Sequence, residues 1–230
     1  MKRLVSLALA LNLYAVFPSW YYKIKSTSKQ KQAFVEIMLP LIQVENRKIE
    51  NLRKTVIYIF SDPFYMIKPE KVAFLAKTAK IYKIKDINDK NEFLTKIDKI
   101  PPSLALAQAA IESGWGKSRF VKEANNIFGH WTYTNKGLAP KSKYDHIKTD
   151  YSIRIFPSLE ASIAAYMKNL NRNPAYKEFR NLRRQYAERN ISFTGIKAAD
   201  TMIRYSQKKE KYVELLKKMI TKNYWSKYDK

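Results

Sequence analysis

Residues 104–116 read LALAQAAIESGWG, and the last four of them hold two of the chain's five glycines and one of its four tryptophans. Ser103 can cap a helix here, Leu104, Ala107, Ala110 and Ile111 recur on one helical face, and Gly114 has the backbone freedom to end it. The spacing predicts a helix over 103–113. Its alanines let neighbouring helices approach closely, which makes it a central, buried helix. Glu112 then falls in the last turn, where a helix end carries partial negative charge. A carboxylate there, beside Trp115 and partly desolvated, is expected to hold its proton more tightly than usual. A protonated glutamate at the edge of a cleft is what a general acid requires. The plain alternative is a surface glutamate that stands at a helix end.

Downstream, the glycines cluster. None precedes Gly114, and four of the five lie between 114 and 137, so the conformationally demanding backbone is concentrated there. In KEANNIFGHW, residues 122–131, two asparagines, an aromatic and a glycine make a tight turn. The asparagines either hold the turn together or bind a neutral polar ligand such as the acetamido group of a sugar. Residues 132–156 carry short alternating runs, WTYT and then YDHIKTDYSIRIF with Tyr151, Ile153 and Ile155 in period two, which predicts a small antiparallel hairpin or sheet. Asp145 and Asp150 in this stretch are the nearest candidates for a second carboxylate. A helix follows from Ser158, with Leu159, Ile163, Tyr166, Met167 and Leu170 at helical spacing, and ends before Pro174. Residues 194–224 read as helix in two pieces, and on pattern alone Tyr205 within them is a core residue.

Upstream, Phe34, Ile37, Met38, Leu41 and Ile42 open a helical pattern that Ile49, Leu52, Val56 and Ile59 continue, with a kink or break expected at Pro40. Further helices are predicted over 69–82 and 88–99. The polar stretch KIKSTSKQKQ, residues 23–32, reads as a linker. Before it stands MKRLVSLALALNLYAVFPSW, a basic start followed by an uncharged, mostly apolar run from Leu4 to about Trp20. This is the form of an export signal or membrane anchor over 1–22, the alternative being a buried N-terminal helix. No clean small-x-small cleavage site follows it.

The composition bounds the chemistry. With 230 residues, 46% hydrophobic and 28% charged, one principal folded domain is expected. There is no cysteine, which excludes cysteine nucleophiles, disulfides and Cys-based metal sites. His130 and His146 are the only histidines, too few for a His-based metal centre unless carboxylates complete it, so no metal and no organic cofactor is expected. A formal charge of +24, from 44 Lys and Arg against 20 Asp and Glu, attracts any polyanion. The lysines are scattered and no nucleic-acid-binding signature accompanies them, so the partner expected is an anionic cell wall or membrane surface and not nucleic acid.

With these residues assembled, the chain resembles the bacterial glucosaminidase family of peptidoglycan hydrolases (glycoside hydrolase family 73 type). The resemblance is carried by LALAQAAIESGWGKSRF, NNIFGHW, IRIFPSLEASIAAYMKNLNRNPAYKEFR and TMIRYSQKKEKYVELL, and AFVEIMLPLIQVENRKI looks like its Bax-like subgroup in particular. It spans roughly residues 33–220, and ESGWG followed by NNIFG at this distance is its most specific part. The resemblance implies an α+β, predominantly α-helical, lysozyme-like fold with a small β-lobe, and an enzyme that cuts peptidoglycan glycan strands after N-acetylglucosamine. On it Glu112 matches the general acid, Trp115 the helix-end aromatic, and Asn126, Phe128 and Gly129 a cleft-lining turn, with Trp131 beside them. Tyr205 matches a tyrosine near the reacting sugar, although RYS stands where GYA is usual.

Many relatives carry a second glutamate in the β-lobe, and this chain has none between Trp131 and Phe156. Asp145 or Asp150 then activates the water, or the substrate's own acetamido group acts as nucleophile; the second is favoured because neither aspartate aligns well. The rivals are a lytic transglycosylase, a wall amidase, which the absent cysteine and scarce histidines disfavour, and an exported, non-catalytic wall-binding module. The organisation expected is a signal or anchor over 1–22, a linker over 23–32, an N-terminal helical region over 33–99, the catalytic domain over 100–224 and a basic tail over 225–230. A monomer in the periplasm or cell envelope is expected.

Overall fold

The computed structural model describes residues 16–134, 137–139 and 151–230. Backbone proximity divides the chain into two compact units, Met1–Ile42 with Ala105–Tyr166 and Gln43–Leu104 with Met167–Lys230. The class is the one expected, α+β and mostly helical with a small sheet.

The first unit is built on the predicted alanine helix. Its elements are α1 (Ser19–Tyr22), the first part of α2 (Thr27–Ser61), α5 (Pro102–Ser113) from Ala105 onward, α6 (Arg119–Ala124) and the start of α7 (Leu159–Arg172). Ala105, Leu106, Ala107, Gln108, Ala109 and Ala110 of α5 are all buried, because small side chains on every face allow packing all round. Gln108, the polar member of this run, accepts the Tyr166 hydroxyl at 2.6 Å, so its burial leaves that oxygen paired. The strands β1 (Trp131–Thr132), β2 (Gly137–Leu138) and β3 (Ser152–Arg154) form an antiparallel sheet in the order β1-β3-β2. Trp131 pairs with Ile153, and Leu138 pairs with the same residue from the other side. The expected period two over 151–155 stops short. Ile153 is buried but Ile155 is exposed, because the strand ends at Arg154 and Phe156 turns inward in its place, its N–H donating to the Ala124 carbonyl at 2.8 Å.

One expectation about the N-terminal segment is corrected. The polar linker over 23–32 is helical from Thr27 onward. Phe17 and Tyr21 are buried, and Phe17 stacks on Phe34 of α2 with centroids 5.8 Å apart, so these two side chains ahead of α2 belong to the core of this unit. Residues 1–15, which carry most of the expected signal or anchor, lie outside the described residues. The described helices include none long and apolar enough to cross a membrane. Pro40 does not break α2, which is a single helix of 35 residues. Pro40 and Glu36, whose carbonyl loses its partner, are both exposed, while Ile37, Met38, Leu41 and Ile42 hold the turn from the buried side.

The second unit contains the rest of α2, then α3 (Pro69–Tyr82), α4 (Lys90–Lys96), the end of α7, α8 (Lys177–Glu188), α9 (Gly195–Ala199) and α10 (Glu210–Lys222). α3 has the predicted bounds, with Pro69 in its first turn. α4 is capped by Asp89, whose side chain accepts the Glu92 N–H at 2.9 Å.

Ser103 does not cap α5; the helix begins at Pro102 and Ser103 lies in its first turn. Its N–H and hydroxyl both donate to the Asp229 carboxylate, at 2.9 and 2.6 Å, and the Gly195 N–H adds a third bond at 2.8 Å. The stretch expected to be a basic tail is therefore part of the unit: Trp225 is buried and Asp229 supplies the negative charge that a helix N-terminus favours.

Candidate active site

Glu112 lies half-buried in the last turn of α5, as the sequence predicts. The helix ends through an unusual backbone. Gly114, Trp115 and Gly116 have φ of 56°, 59° and 71°, three successive residues in the left-handed region. Glycine adopts that conformation freely, but for a bulky residue such as tryptophan it is strained and persists only where the surroundings over-determine it.

The bonds that determine it come from two directions. Within the turn, the Trp115 N–H donates to the Ala110 carbonyl at 2.8 Å, the Gly116 N–H to Ser113 Oγ at 2.7 Å and the Ser118 N–H to the Ser113 carbonyl at 2.9 Å. From the N-terminal segment, Tyr21 donates its hydroxyl to the Trp115 carbonyl at 2.6 Å and Tyr22 to the Gly116 carbonyl at 3.2 Å. Phe34 meets the Trp115 ring edge-on at 5.4 Å, and Lys31 Nζ stands 4.9 Å from the ring centre. Trp115, expected to wall a cleft, is thus gripped by α2 and the residues before it. Sequence reasoning missed Tyr21, Tyr22, Lys31 and Phe34 as parts of this site; the aromatics at 17–22 are dense, but nothing in the sequence ties them to the turn after α5.

The turn after α6 is equally tied. Asn125, left-handed at φ 50°, donates its side-chain amide to the Phe156 carbonyl at 3.1 Å. Asn126 is only 1% exposed. Its amide nitrogen donates to the His130 and Arg154 carbonyls, each at 2.8 Å, and its oxygen accepts the His130 N–H at 2.9 Å. Of the two roles open to the asparagines, these bonds express the structural one, because both Asn126 amide hydrogens are spent inside the protein. Phe128 is buried and stacks on Tyr166 with centroids 3.9 Å apart and rings 5° from parallel. Gly129, at φ 67°, has open space where a side chain would project.

His130 Nδ1 is buried without a hydrogen-bond partner. Burial, and then the neighbouring positive charge of Arg154, push its pKa down to about 4, so the ring is neutral at pH 7. Next to it Trp131 is 54% exposed, its ring stacked on Tyr151 at 4.1 Å and 8°. This paired aromatic platform on the sheet is the open apolar face beside the turn, and Tyr151 is a member that the sequence did not single out.

Tyr205 belongs to the second unit, in a short 3-10 turn (Met202–Tyr205), stacked on Tyr212 at 5.6 Å and 6.1 Å from Tyr176. Asp145 and Asp150 lie outside the described residues. A concavity of about 560 Å³ in the second unit is lined by Asn46, Asp98, Arg183 and Asp229 among others and contains none of the predicted site residues. Its polar groups are paired within the unit, as Asn46 with Ile100 and Arg183 with the carbonyls of Thr95, Asp98 and Lys99, so it reads as a seam between helices.

The sequence profile of the glucosaminidase family, described as mannosyl-glycoprotein endo-beta-N-acetylglucosaminidase, matches residues 91–225. Among curated proteins, "Protein bax" of Escherichia coli (strain K12) is 30% identical over 207 residues, which cover 87% of this chain and 72% of that one. No solved structure matches significantly. The matched span runs from α4 to Trp225 and takes in Glu112, the left-handed turn behind it and the Asn126 brace, and on these grounds the chain belongs to the glucosaminidase family.

Proposed function

We propose that the chain is a peptidoglycan hydrolase, an endo-β-N-acetylglucosaminidase in which Glu112 is the general acid. The observation that carries this reading is the setting of Glu112: a half-buried carboxylate at the negative end of the buried helix α5, followed at once by a strained turn braced from outside the helix. A helix end that served only to terminate α5 has no need of a tryptophan in the left-handed region.

In the reaction, Glu112 protonates the leaving glycosidic oxygen as the C–O bond breaks, and positive charge develops on the sugar. Either the substrate's acetamido oxygen closes on the anomeric carbon and water then opens that ring, giving its proton back to Glu112, or water activated by Asp145 or Asp150 attacks the anomeric carbon directly and leaves its proton on that aspartate. The Trp131–Tyr151 platform offers a flat apolar face against which a sugar ring can stack. Positive charge holds the enzyme to wall carboxylates, an attraction that salt weakens. Export to the cell envelope is read from the basic and apolar start of the chain, with any processing falling ahead of Phe17, whose ring is core.

The test is digestion of purified peptidoglycan by the full chain and by its Glu112→Gln variant, with products reduced by borohydride and analysed by mass spectrometry. Reduced N-acetylglucosamine ends that vanish in the variant are the expected result. Anhydro ends would instead assign a lytic transglycosylase. Binding without release by either protein would leave a wall-binding module.

A further inference from the structure

A connection between helices runs over the surface and is ordinarily polar. Residues 57–67, IYIFSDPFYMI, which run from the last turn of α2 into its connection with α3, depart from that rule. Tyr58, Phe64, Met66 and Ile67 are 68%, 64%, 48% and 78% exposed. Their neighbours in the same stretch turn inward: Phe60 meets Tyr65 at 5.2 Å and Phe93 at 5.5 Å, and the Tyr65 hydroxyl donates to Asn88 Oδ1 at 3.0 Å.

The projecting side chains stand on a well-bonded turn. Asp62 Oδ1 accepts the Phe64 N–H at 2.9 Å, the Asp62 carbonyl accepts the Tyr65 N–H at 3.1 Å, and the Phe64 and Tyr65 carbonyls accept the N–H groups of Ile67 and Lys68. Asp62 Oδ2 also takes Lys68 Nζ and Lys71 Nζ, each at 2.6 Å, and Lys71 Nζ lies 5.0 Å from the Tyr58 ring. An apolar tip is therefore held out in fixed form with lysines around its base. Between residues 47 and 80 eight basic residues face three acidic ones, of which Asp62 is shared by two ammonium groups.

We propose that the turn 62–68 is an insertion tip for an anionic lipid surface. Phe64, Met66 and Ile67 enter the boundary between headgroups and acyl chains, and the exposed ammonium groups of Lys54 and Lys68 meet the lipid phosphates, while Lys71 holds Asp62 from the inner side. Two other occupants fit less well. Glycan strands present hydroxyl and acetamido groups that call for polar partners beside a flat ring, whereas the tip sets Phe64 beside the aliphatic Met66 and Ile67. A second copy of the chain, at +24, is repelled by the first. A bilayer with acidic headgroups matches the aliphatic tip and the cationic base together. The device is independent of the hydrolytic reading and holds the chain at a membrane face.

The chain has no cysteine, so Ile67→Cys in the full chain takes one environment-sensitive fluorophore at the tip, with Lys222→Cys on α10 as the control position. Vesicles of phosphatidylglycerol and phosphatidylcholine are expected to shift the emission at 67 to the blue and leave that at 222 unchanged, whereas pure phosphatidylcholine gives no shift at either. Adding Lys54→Gln and Lys68→Gln is expected to raise the vesicle concentration needed by about thirtyfold, as loss of two near-surface charges predicts. Because position 67 is exposed, the label leaves folding intact, and thermal melting checks this. The proposal is overturned if the probe at 67 stays in water while the protein sediments with vesicles. It is also overturned if the probe responds to purified peptidoglycan in place of vesicles, or to protein concentration alone.

Discussion

The Tyr21 hydroxyl donates to the Trp115 carbonyl at 2.6 Å, joining residues 94 positions apart. Trp115 is the strained member of the turn that begins two residues after Glu112, so a group in the N-terminal segment helps to fix how α5 ends. Burial pushes the Tyr21 pKa well up, which keeps the hydroxyl a donor across the whole working pH range. Tyr21→Phe removes the bond and keeps the ring. Loss of one hydrogen bond to a part-buried carbonyl costs about 1 kcal/mol, or about 2–4 °C in Tm for a chain of this size. The expected kinetic signature is a fall in kcat of about tenfold with KM little changed, since a displaced acid costs transition-state stabilisation and not substrate binding. Steady-state kinetics on soluble glycan fragments beside a thermal melt would check it; an unchanged kcat with the lowered Tm would make Tyr21 a purely structural residue.

The two glycines of the turn are needed for different reasons, and substitution separates them. A Cβ on Gly114 meets nothing within 4 Å, whereas one on Gly116 comes 2.8 Å from Phe17 Cζ. Gly114→Ala therefore costs only the left-handed backbone, about 1 kcal/mol. Gly116→Ala adds an overpacking cost of about 1–3 kcal/mol. Chemical denaturation is expected to rank Gly116→Ala well below Gly114→Ala, and Phe17→Leu is expected to restore part of the loss in the first and none in the second.

How much of this was legible in the sequence depends on what faces inward. α3, α5 and α7 have aliphatic or alanine inner faces, and their periodicity locates them within a residue or two. α8 left no such pattern. Its buried residues are Phe179, Arg180 and Arg183, and the arginine stems pack while the guanidinium heads take carbonyls: Arg180 those of Leu170 and Asn173, Arg183 those of Thr95, Asp98 and Lys99. A charged inner face reads as a solvated one. Glu112 was found because its neighbours are unusual locally; the brace by Tyr21, Tyr22 and Phe34 was not, since nothing local tells which aromatic will cross the chain to a carbonyl.

Asn126 and Trp131 stand five residues apart and should fail in opposite ways. Asn126→Ala leaves the His130 N–H and the Arg154 carbonyl without their Asn126 bonds in a largely buried turn, at about 1–3 kcal/mol for each group not reached by water, while the His130 carbonyl keeps the Arg154 N–H. The melting temperature is expected to drop by about 6–12 °C, the shift for roughly 3 kcal/mol. Trp131→Ala removes an exposed ring and is expected to move Tm by no more than about 2 °C, surface changes being worth within ~0.5 kcal/mol, while KM for glycan fragments rises several-fold. Thermal melts and saccharide titrations on both variants would check the contrast, and a Trp131→Ala protein with normal glycan affinity would remove the platform from the site.

His130 gives the fold a pH dependence whose direction follows from its burial. Its pKa in the folded chain is pushed from 6.5 down to about 4, by burial first and Arg154 second. In the unfolded chain the ring takes up its proton near pH 6.5, so between that value and pH 4 the unfolded state binds more protons and stability falls as the solution is acidified. Above pH 7 the ring is neutral in both states and contributes no slope. Between pH 7 and 5 the loss is about 1–2 kcal/mol, or roughly 4 °C in Tm. Carboxylates held low by their partners, such as Glu92 beside Lys96, act only at lower pH and leave this window to the histidine. His130→Gln, which has no proton to take up, is expected to show a nearly flat Tm from pH 7 to 5, whatever its Tm at pH 7. Parallel melts of the two proteins across that range would check it: equal slopes would mean that water already reaches Nδ1 and that the ring is not shielded as its surroundings imply.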